Sequence, residues 1–223
     1  MANMLKVERP AFSAAAAHAA RIDAASTATH PFAQELAGPL TATTTRDLDD
    51  LVHLLSQLYA PHPSLVDLAL RRCPAGPIRD WLTVAADAFE RERNYLVRLT
   101  AAVGPVPSTP GHAETEAAMM AQRHALETLA RSERHGCALG AATALVSDWR
   151  QFRPLFDRAA ARVSIAIPPC ALPSEQSIGE VLIEAAFGPG PDRAIRFGSE
   201  QLLLQHRALF DLLEARAEAR EFI

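Results

Sequence analysis

The sequence is short of lysine, aromatic residues and cysteine. Lys6 is the only lysine, aromatic residues make up 6% of the chain, and the 3 cysteines lie far apart without a C-x-x-C spacing. Isolated cysteines in odd number argue against a disulfide framework or a zinc site, and favour reduced thiols in a cytoplasmic protein. No stretch is long and apolar enough to cross a membrane, so no membrane partner is expected.

The sequence also lacks the motifs of several chemistries that have firm spacing rules. It contains no G-x-x-x-x-G-K or G-x-G-x-x-G phosphate loop, no H-E-x-x-H metal motif and no G-x-S-x-G nucleophile motif. A net charge of −4 excludes the basic surface typical of nucleic-acid binding. We therefore expect no catalytic residues, no cofactor and no nucleic-acid partner.

Alanine and leucine dominate the hydrophobic residues, which make up 49% of the chain. They recur at helical spacing, whereas no run of β-branched residues alternates with a period of two. One helix-forming segment starts after Gly76 and follows a heptad pattern; its seam is Ile78, Leu82, Ala85, Phe89, Glu92, Leu96, Leu99 and Val103. The pattern predicts an all-α protein, an antiparallel up-down helical bundle with extra short helices.

The chain divides into an alanine- and threonine-rich N-terminal arm, 1–43, and a bundle domain, 44–223. The arm is partly helical and is expected to dock on the bundle or on a second copy. A short proline-rich loop between 76–103 and 112–150 predicts an antiparallel hairpin of two long helices, the second of them kinked or ended by Pro154.

Two glycines, Gly136 and Gly140, lie one turn apart in the second of these helices. Small residues at this spacing thin a helix, so we expect a neighbouring helix to approach closely there. Further along, Arg150, Arg153 and Arg158 form a basic stretch with Arg162, for which a solvated face is favoured over a phosphate site because no aromatic residues accompany it.

Polar residues interrupt three predicted apolar seams, at Glu92, Glu133 and His206. If these residues meet, they form a cluster that either holds a metal ion or is only a hydrogen-bond network. Since buried charges are usually paired, the network is favoured, with His206 as the expected partner of Glu92. No metal ligands are assigned on this basis.

The long antiparallel helices with inward polar residues resemble the ferritin-like bundle, and more loosely the uncharacterised ferritin-like proteins of alphaproteobacteria, over residues 44–222. Metal-binding members of that family need Glu-x-x-His motifs on two helices. This sequence has none, its nearest feature being the reversed His124-x-x-Glu127. The resemblance thus implies a ferritin-like fold whose di-iron chemistry has been lost.

Three functions remain open from the sequence. The first is a non-enzymatic bundle that acts by self-association, as a homodimer, or by binding a protein partner; the alanine-rich arm motivates the dimer. The second is a degenerate ferritin-like protein that binds a metal or a small molecule. The third is a helical enzyme of the haem-oxygenase-like or thiaminase-like type, whose site would be assembled from residues scattered along the sequence.

Overall fold

The computed structural model describes residues 10–222, with side chains from Ala14 onward, and within this range it contains nine α-helices, one short 3-10 helix and no β-strand. The all-α prediction is confirmed. The α-helices are α1 (Pro10–Ala25), α2 (Pro31–Ala37), α3 (Ala42–Tyr59), α4 (Leu65–Arg72), α5 (Pro77–Ala102), α6 (His112–Ala130), α7 (Cys137–Arg162), α8 (Glu175–Ala185) and α9 (Pro189–Glu221), and the 3-10 helix spans Thr27–Thr29.

Helices α5, α7 and α9 run in the same direction. Side chains that join them are separated by a nearly constant number of residues, as expected for parallel helices. The joined pairs are Glu92–Trp149, Tyr95–Asp157, Gly140–Ser199 and Asp148–His206, with separations of 57, 62, 59 and 58 residues. Alternate helices are parallel in an up-down bundle as well, but here the parallel helices α7 and α9 pack directly on each other.

Helix α3 runs opposite to α9, since its first half contacts the end of α9 and its last residue contacts the middle. Arg220 donates to Asp47, whereas Tyr59 bonds His206. Helices α5, α7 and α9 each follow a shorter helix, α4, α6 and α8, across a tight turn. Because the three long helices are parallel, these three turns meet at one end of the bundle.

The predicted single helix over 112–150 is wrong, and so is the alternative in which Pro154 ends it. It is divided at residues 131–136 into α6 and α7, where Gly136 takes a positive φ of 98° that a helix does not allow. Pro154 does not end the second part, which continues to Arg162. The predicted α5–α6 hairpin is also wrong, since α6 packs on α3, α4, α7 and α9, and α5 packs on α3, α4, α7 and α8.

The expected close approach is present between α7 and α9. A Cβ atom added to Gly140 would lie 2.0 Å from the carbonyl oxygen of Ile195, and one added to Gly198 would lie 2.0 Å from that of Cys137. Both distances are far below van der Waals contact, so the backbones touch directly and only glycine fits. This crossing makes α7 and α9 the central pair of the bundle.

The N-terminal arm docks on its own chain. Helix α1 packs against α7, α8 and α9, and α2 packs against α3, α7 and α9. The order of the arm therefore needs no second copy, which removes the feature that motivated the homodimer.

The core follows the predicted seams. Leu82, Phe89, Leu96, Leu126 and Leu129 are all buried, as the heptad pattern predicts. Among the helices in the described range, none combines the length and the apolar character needed to cross a membrane.

Candidate functional site

A chain of four hydrogen-bonded residues lies at the centre of the bundle. Asp148 accepts from the Thr27 backbone N–H at 2.7 Å and from the Thr27 hydroxyl at 2.6 Å, and its Oδ2 lies 2.6 Å from His206 Nδ1. His206 Nε2 bonds the Tyr59 hydroxyl. Burial raises the pKa of Tyr59 well above its usual value, so the phenol stays protonated. Its hydroxyl is therefore the hydrogen-bond donor to His206. His206 then donates from Nδ1 to the carboxylate.

This Tyr–His–Asp chain resembles a catalytic relay in connectivity but not in access. Asp148 and His206 have no solvent exposure, and the rings of Phe89, Trp149 and Phe152 pack around Tyr59 and His206. No substrate reaches these atoms in a folded chain. The arrangement instead ties α3, α7 and α9 to the 3-10 helix that contains Thr27.

Glu92 is buried and fully paired. Its carboxylate accepts from Trp149 Nε1 at 3.0 Å and from Arg153 Nη1 at 2.7 Å. Burial raises the pKa of Glu92, while the Trp149 hydrogen bond and the Arg153 charge act in the opposite direction. Arg153 in turn binds Asp157 at 3.1 Å, so the pair belongs to a network on α7. Both oxygens of Glu92 are thus committed to structure.

The predicted polar cluster does not form. Glu92 pairs with Trp149 and Arg153 rather than with His206, because α7 lies between α5 and α9 and supplies the partners of both. Glu133 lies exposed in the connector between α6 and α7, since the helix that would have buried it ends at Ala130. No apolar seam in the sequence includes Asp148 or Trp149, and Arg153 is recognisable there only as a member of the basic stretch.

A second buried network joins α3 to the end of α9. Arg216 binds Asp50 with two hydrogen bonds of 2.8 Å, and Arg220 binds both Asp50 at 2.6 Å and Asp47 at 2.7 Å. Two carboxylates face two guanidinium groups, so the charges balance. Thr109 completes the network from the loop before α6. Its role is to fix α9 on α3.

The basic stretch on α7 is neither a solvated face nor a phosphate site. Arg158 donates to the carbonyls of Ala37 and Gly38 at the end of α2, and Arg162 pairs with Asp49 of α3. Arg150 donates to the carbonyl of Leu172, at 2.8 Å, and to that of Pro173. These arginines fasten connecting segments to α7, and the interpretation as a solvated face is wrong for them.

One group of side chains has the spacing of a metal site: His30, Asp211 and Glu214, whose ligand atoms lie within 4.8 Å of one another. The hydrogen bonds of His30 argue against metal binding. The Phe32 N–H donates to His30 Nδ1 at 3.2 Å, so the proton of the neutral ring lies on Nε2, which faces Asp211 at 3.1 Å. A metal on Nε2 would move that proton to Nδ1, directly opposite the Phe32 N–H. His30 acts as the N-cap of α2 instead.

A cavity of about 550 Å³ opens where the three turns meet. Each turn ends in a glycine of positive φ placed directly before the long helix: Gly76, Gly136 and Gly188. The volume lies within the range of about 300–1,000 Å³ that small-molecule sites occupy. A glycine at each of the three turns, with proline at two of them, is visible in the sequence, but only the parallel course of α5, α7 and α9 brings the turns together.

The floor of this end cavity is apolar and its rim is charged. Buried Ala69, Leu82, Ala130 and Leu139 form the floor. Six side chains stand at the rim, and all are exposed: Arg72, Glu133, Arg134, His135, Glu184 and Phe187.

Several rim groups have no partner among the residues that the structure describes. Glu133, His135 and Glu184 make no ion pair and no side-chain hydrogen bond with any part of the chain that the structure describes. This contrasts with the paired charges of the core. Cys73 also lines the cavity, where burial raises the pKa of its thiol and Arg79 opposes the shift. The thiol is therefore protonated at neutral pH and is a poor nucleophile, so the cavity is suited to binding rather than to thiol chemistry.

Comparison with known proteins gives a family but no activity. No curated protein and no solved structure matches the chain. A family model described as "Family of unknown function (DUF6975)" matches residues 22–221. The match starts inside α1 and includes Thr27 as well as the three turns around the end cavity. The chain belongs to the DUF6975 family.

Proposed function

We propose that this protein binds a small, largely apolar molecule in the end cavity. The observation that carries the proposal is a space of about 550 Å³ with a buried apolar floor, ringed by charged side chains, several of which have no partner in the described part of the chain. Small-molecule sites have this combination of an apolar body and a few polar groups at the mouth.

The lining restricts the chemistry of the ligand. The floor residues Ala69, Leu82, Ala130 and Leu139 offer no charge and no side-chain hydrogen bond, so the part of the ligand that enters must be uncharged. The rim offers charges of both signs, which can contact a polar end that stays in water. Phe187 adds an aromatic face that is 78% exposed at the mouth.

Filling the cavity tests the proposal. Ala138 lines the cavity from the first turn of α7, and Ala138→Phe should occupy the space without a charge change. A neutral naphthylamine fluorophore should bind the wild type with one equivalent per chain, and Ala138→Phe should weaken this binding at least about tenfold, equivalent to about 1.4 kcal/mol. The binding is measured by fluorescence titration, with native mass spectrometry for molecules that co-purify.

The matched control is Ala101→Phe. Ala101 is exposed near the end of α5, whereas the cavity lies at the start of that helix, so this variant should bind as the wild type does. Equal affinity of the wild type and Ala138→Phe, with both variants as stable as the wild type, would contradict the proposal.

This proposal leaves several expectations from the sequence open. A small-molecule-binding bundle corresponds to the second function that the sequence leaves open, with ferritin-like ancestry as an architectural expectation. A cytoplasmic location, a homodimer and a protein partner stay predictions. Light scattering at micromolar concentration tests the dimer, since a mass of 24.1 kDa is that of one chain.

A further inference from the structure

Helix α1 rests on the bundle through a narrow row of side chains. Among its described side chains, the buried ones are Ala14, His18 and Ile22, spaced four residues apart along one face. Ala14 and Ile22 are apolar, but the residue between them is an imidazole that is 2% exposed. The attachment of α1 to α7, α8 and α9 therefore depends on how this ring is accommodated.

The hydrogen bonds around His18 fix its protonation state. Ser147 donates its hydroxyl proton to Glu175 Oε2 at 3.0 Å, so it can only accept from His18 Nε2, which lies 3.4 Å away. The proton of the neutral ring is then on Nε2, and Nδ1 carries a lone pair. Nδ1 is buried and has no hydrogen-bond partner in the described chain. A proton added to Nδ1 would find no acceptor.

The charges near His18 do not favour a second positive charge. Arg21 follows one turn later on α1, and its Nη1 is also buried without a partner in the described range. From α8, Glu175 is engaged by Ser147 and lies 3.5 Å from Arg150 of α7. The groups of α9 that act on Arg21 are Asp192, Arg196 and Glu200, of which the last two pair with each other. Asp148 of α7 is held by Thr27 and His206.

We propose that α1 is an acid-releasable strap, which detaches from α7, α8 and α9 when His18 is protonated while the remainder of the bundle stays folded. Protonation places an unsatisfied N–H and a buried charge beside Arg21, and release of α1 exposes both to water. Among the described side chains of α1, only Ala14 and Ile22 are apolar and buried, so little apolar area of this part of the helix opposes the cost.

The direction of the pH effect follows from the pKa of His18. Burial first, and the Arg21 charge second, lower this pKa from 6.5 to about 4 in the docked state. The released helix takes up a proton near pH 6.5, so docking is fully stable above that pH and weakens as the pH falls toward 4. With these two values the equilibrium constant for release rises about 20-fold between pH 7 and pH 5.

Hydrogen exchange of the intact protein tests the strap. Amides of residues 14–25 are compared with those of α5 and α7 at pH 7, 6 and 5, after correction for the intrinsic exchange rate. We expect protection in α1 to fall about 20-fold between pH 7 and pH 5, with α5 and α7 unchanged. His18→Leu and His18→Gln should abolish this dependence, whereas His124→Gln, an exposed histidine of α6, should retain it.

Three outcomes would overturn the proposal. Protection of α1 in the wild type could be the same at pH 7 and pH 5. Alternatively, α5 and α7 could lose protection together with α1, which would mean general acid unfolding. Finally, α1 could be unprotected at pH 7 in both neutral variants, which would show that the imidazole is needed for docking rather than for release.

Discussion

The α7–α9 crossing and the end cavity use glycine and charge in opposite ways. At the crossing, Gly140 lets two backbones touch, and the polar groups of Asp148 and His206 are buried and paired. At the cavity, Gly136 and its counterparts form turns, and charges such as Glu133 and Glu184 surround an apolar space without partners in the described chain. Polar residues inside this protein are structural, whereas the open site is formed by its connecting segments.

The comparison explains why a polar residue on a helix seam is a weak indicator of function here. Glu92 and His206 break apolar patterns, which suggests chemistry, yet each is satisfied by side chains of α7. A buried carboxylate or imidazole without a partner would be costly, so the fold supplies one. The residues around the cavity share no single pattern in the sequence: Ile78 and Leu82 belong to the heptad of α5, Glu133 interrupts another seam, and nothing in their spacing indicates that they meet.

The largest expected effect is that of Asp148→Ala. It removes the acceptor of two Thr27 hydrogen bonds and of His206, all of them buried, so the free energy of unfolding should fall by about 3–5 kcal/mol. The control is Asp211→Ala, which also removes a carboxylate from a histidine, His30. Asp211 is 62% exposed and its loss should cost about 1 kcal/mol or less. Chemical denaturation measures the free energy of unfolding of both variants. Equal losses would contradict the prediction that the buried Asp148 matters more for stability than the exposed Asp211.

A second prediction concerns the crossing itself. Gly140→Ala places a Cβ 2.0 Å from the Ile195 carbonyl oxygen, and since a backbone must move, the cost should reach about 3 kcal/mol, at the upper end for overpacking. Gly179→Ala is the matched control within α8. Its Cβ would lie 3.6 Å from that of Ala15, so it should stabilise the protein by about 0.5–1 kcal/mol through helix propensity. Similar thermal unfolding midpoints for the two variants would contradict the prediction, because they would show that α7 and α9 can move apart at no cost in stability.

Much of the fold could be predicted because it depends on local patterns. The heptad that contains Leu82, Phe89 and Leu96 predicts the buried face of α5, and Gly140 predicts a close helix approach. The pairing of helices could not be predicted in the same way. A short loop after α5 suggests that α6 packs on it, but α6 packs on α3, α4, α7 and α9 instead. Which apolar face meets which is decided by the total area buried, not by loop length.

The candidate site was less predictable than the fold. Its lining comes from three turns, near Gly76, Gly136 and Gly188, and each turn lies more than fifty residues from the next along the chain. Each turn alone reads as an ordinary helix connection. Their convergence requires the parallel course of the three long helices, which no single segment of the sequence encodes. The same holds for the partners of Glu92, since Trp149 and Arg153 lie on a face of α7 that is recognisable only in the folded chain.

The smallest expected effect is that of Glu92→Gln. The amide keeps the shape and can still accept one hydrogen bond, but Trp149 and Arg153 both donate to this position, so one of them loses its acceptor. Arg153 retains Asp157, and the loss should therefore be about 1–3 kcal/mol, below that of Asp148→Ala. Glu90→Gln on the same helix should cost less than about 1 kcal/mol, because Glu90 is 49% exposed and its partner Arg93 keeps its hydrogen bonds to the carbonyls of Tyr59 and Ala60. Denaturation and metal analysis are combined on the same samples. Stoichiometric iron, manganese or zinc in the wild type that disappears in Glu92→Gln would contradict the structural role of Glu92, because a metal ion would have to share the oxygens that Trp149 and Arg153 bind.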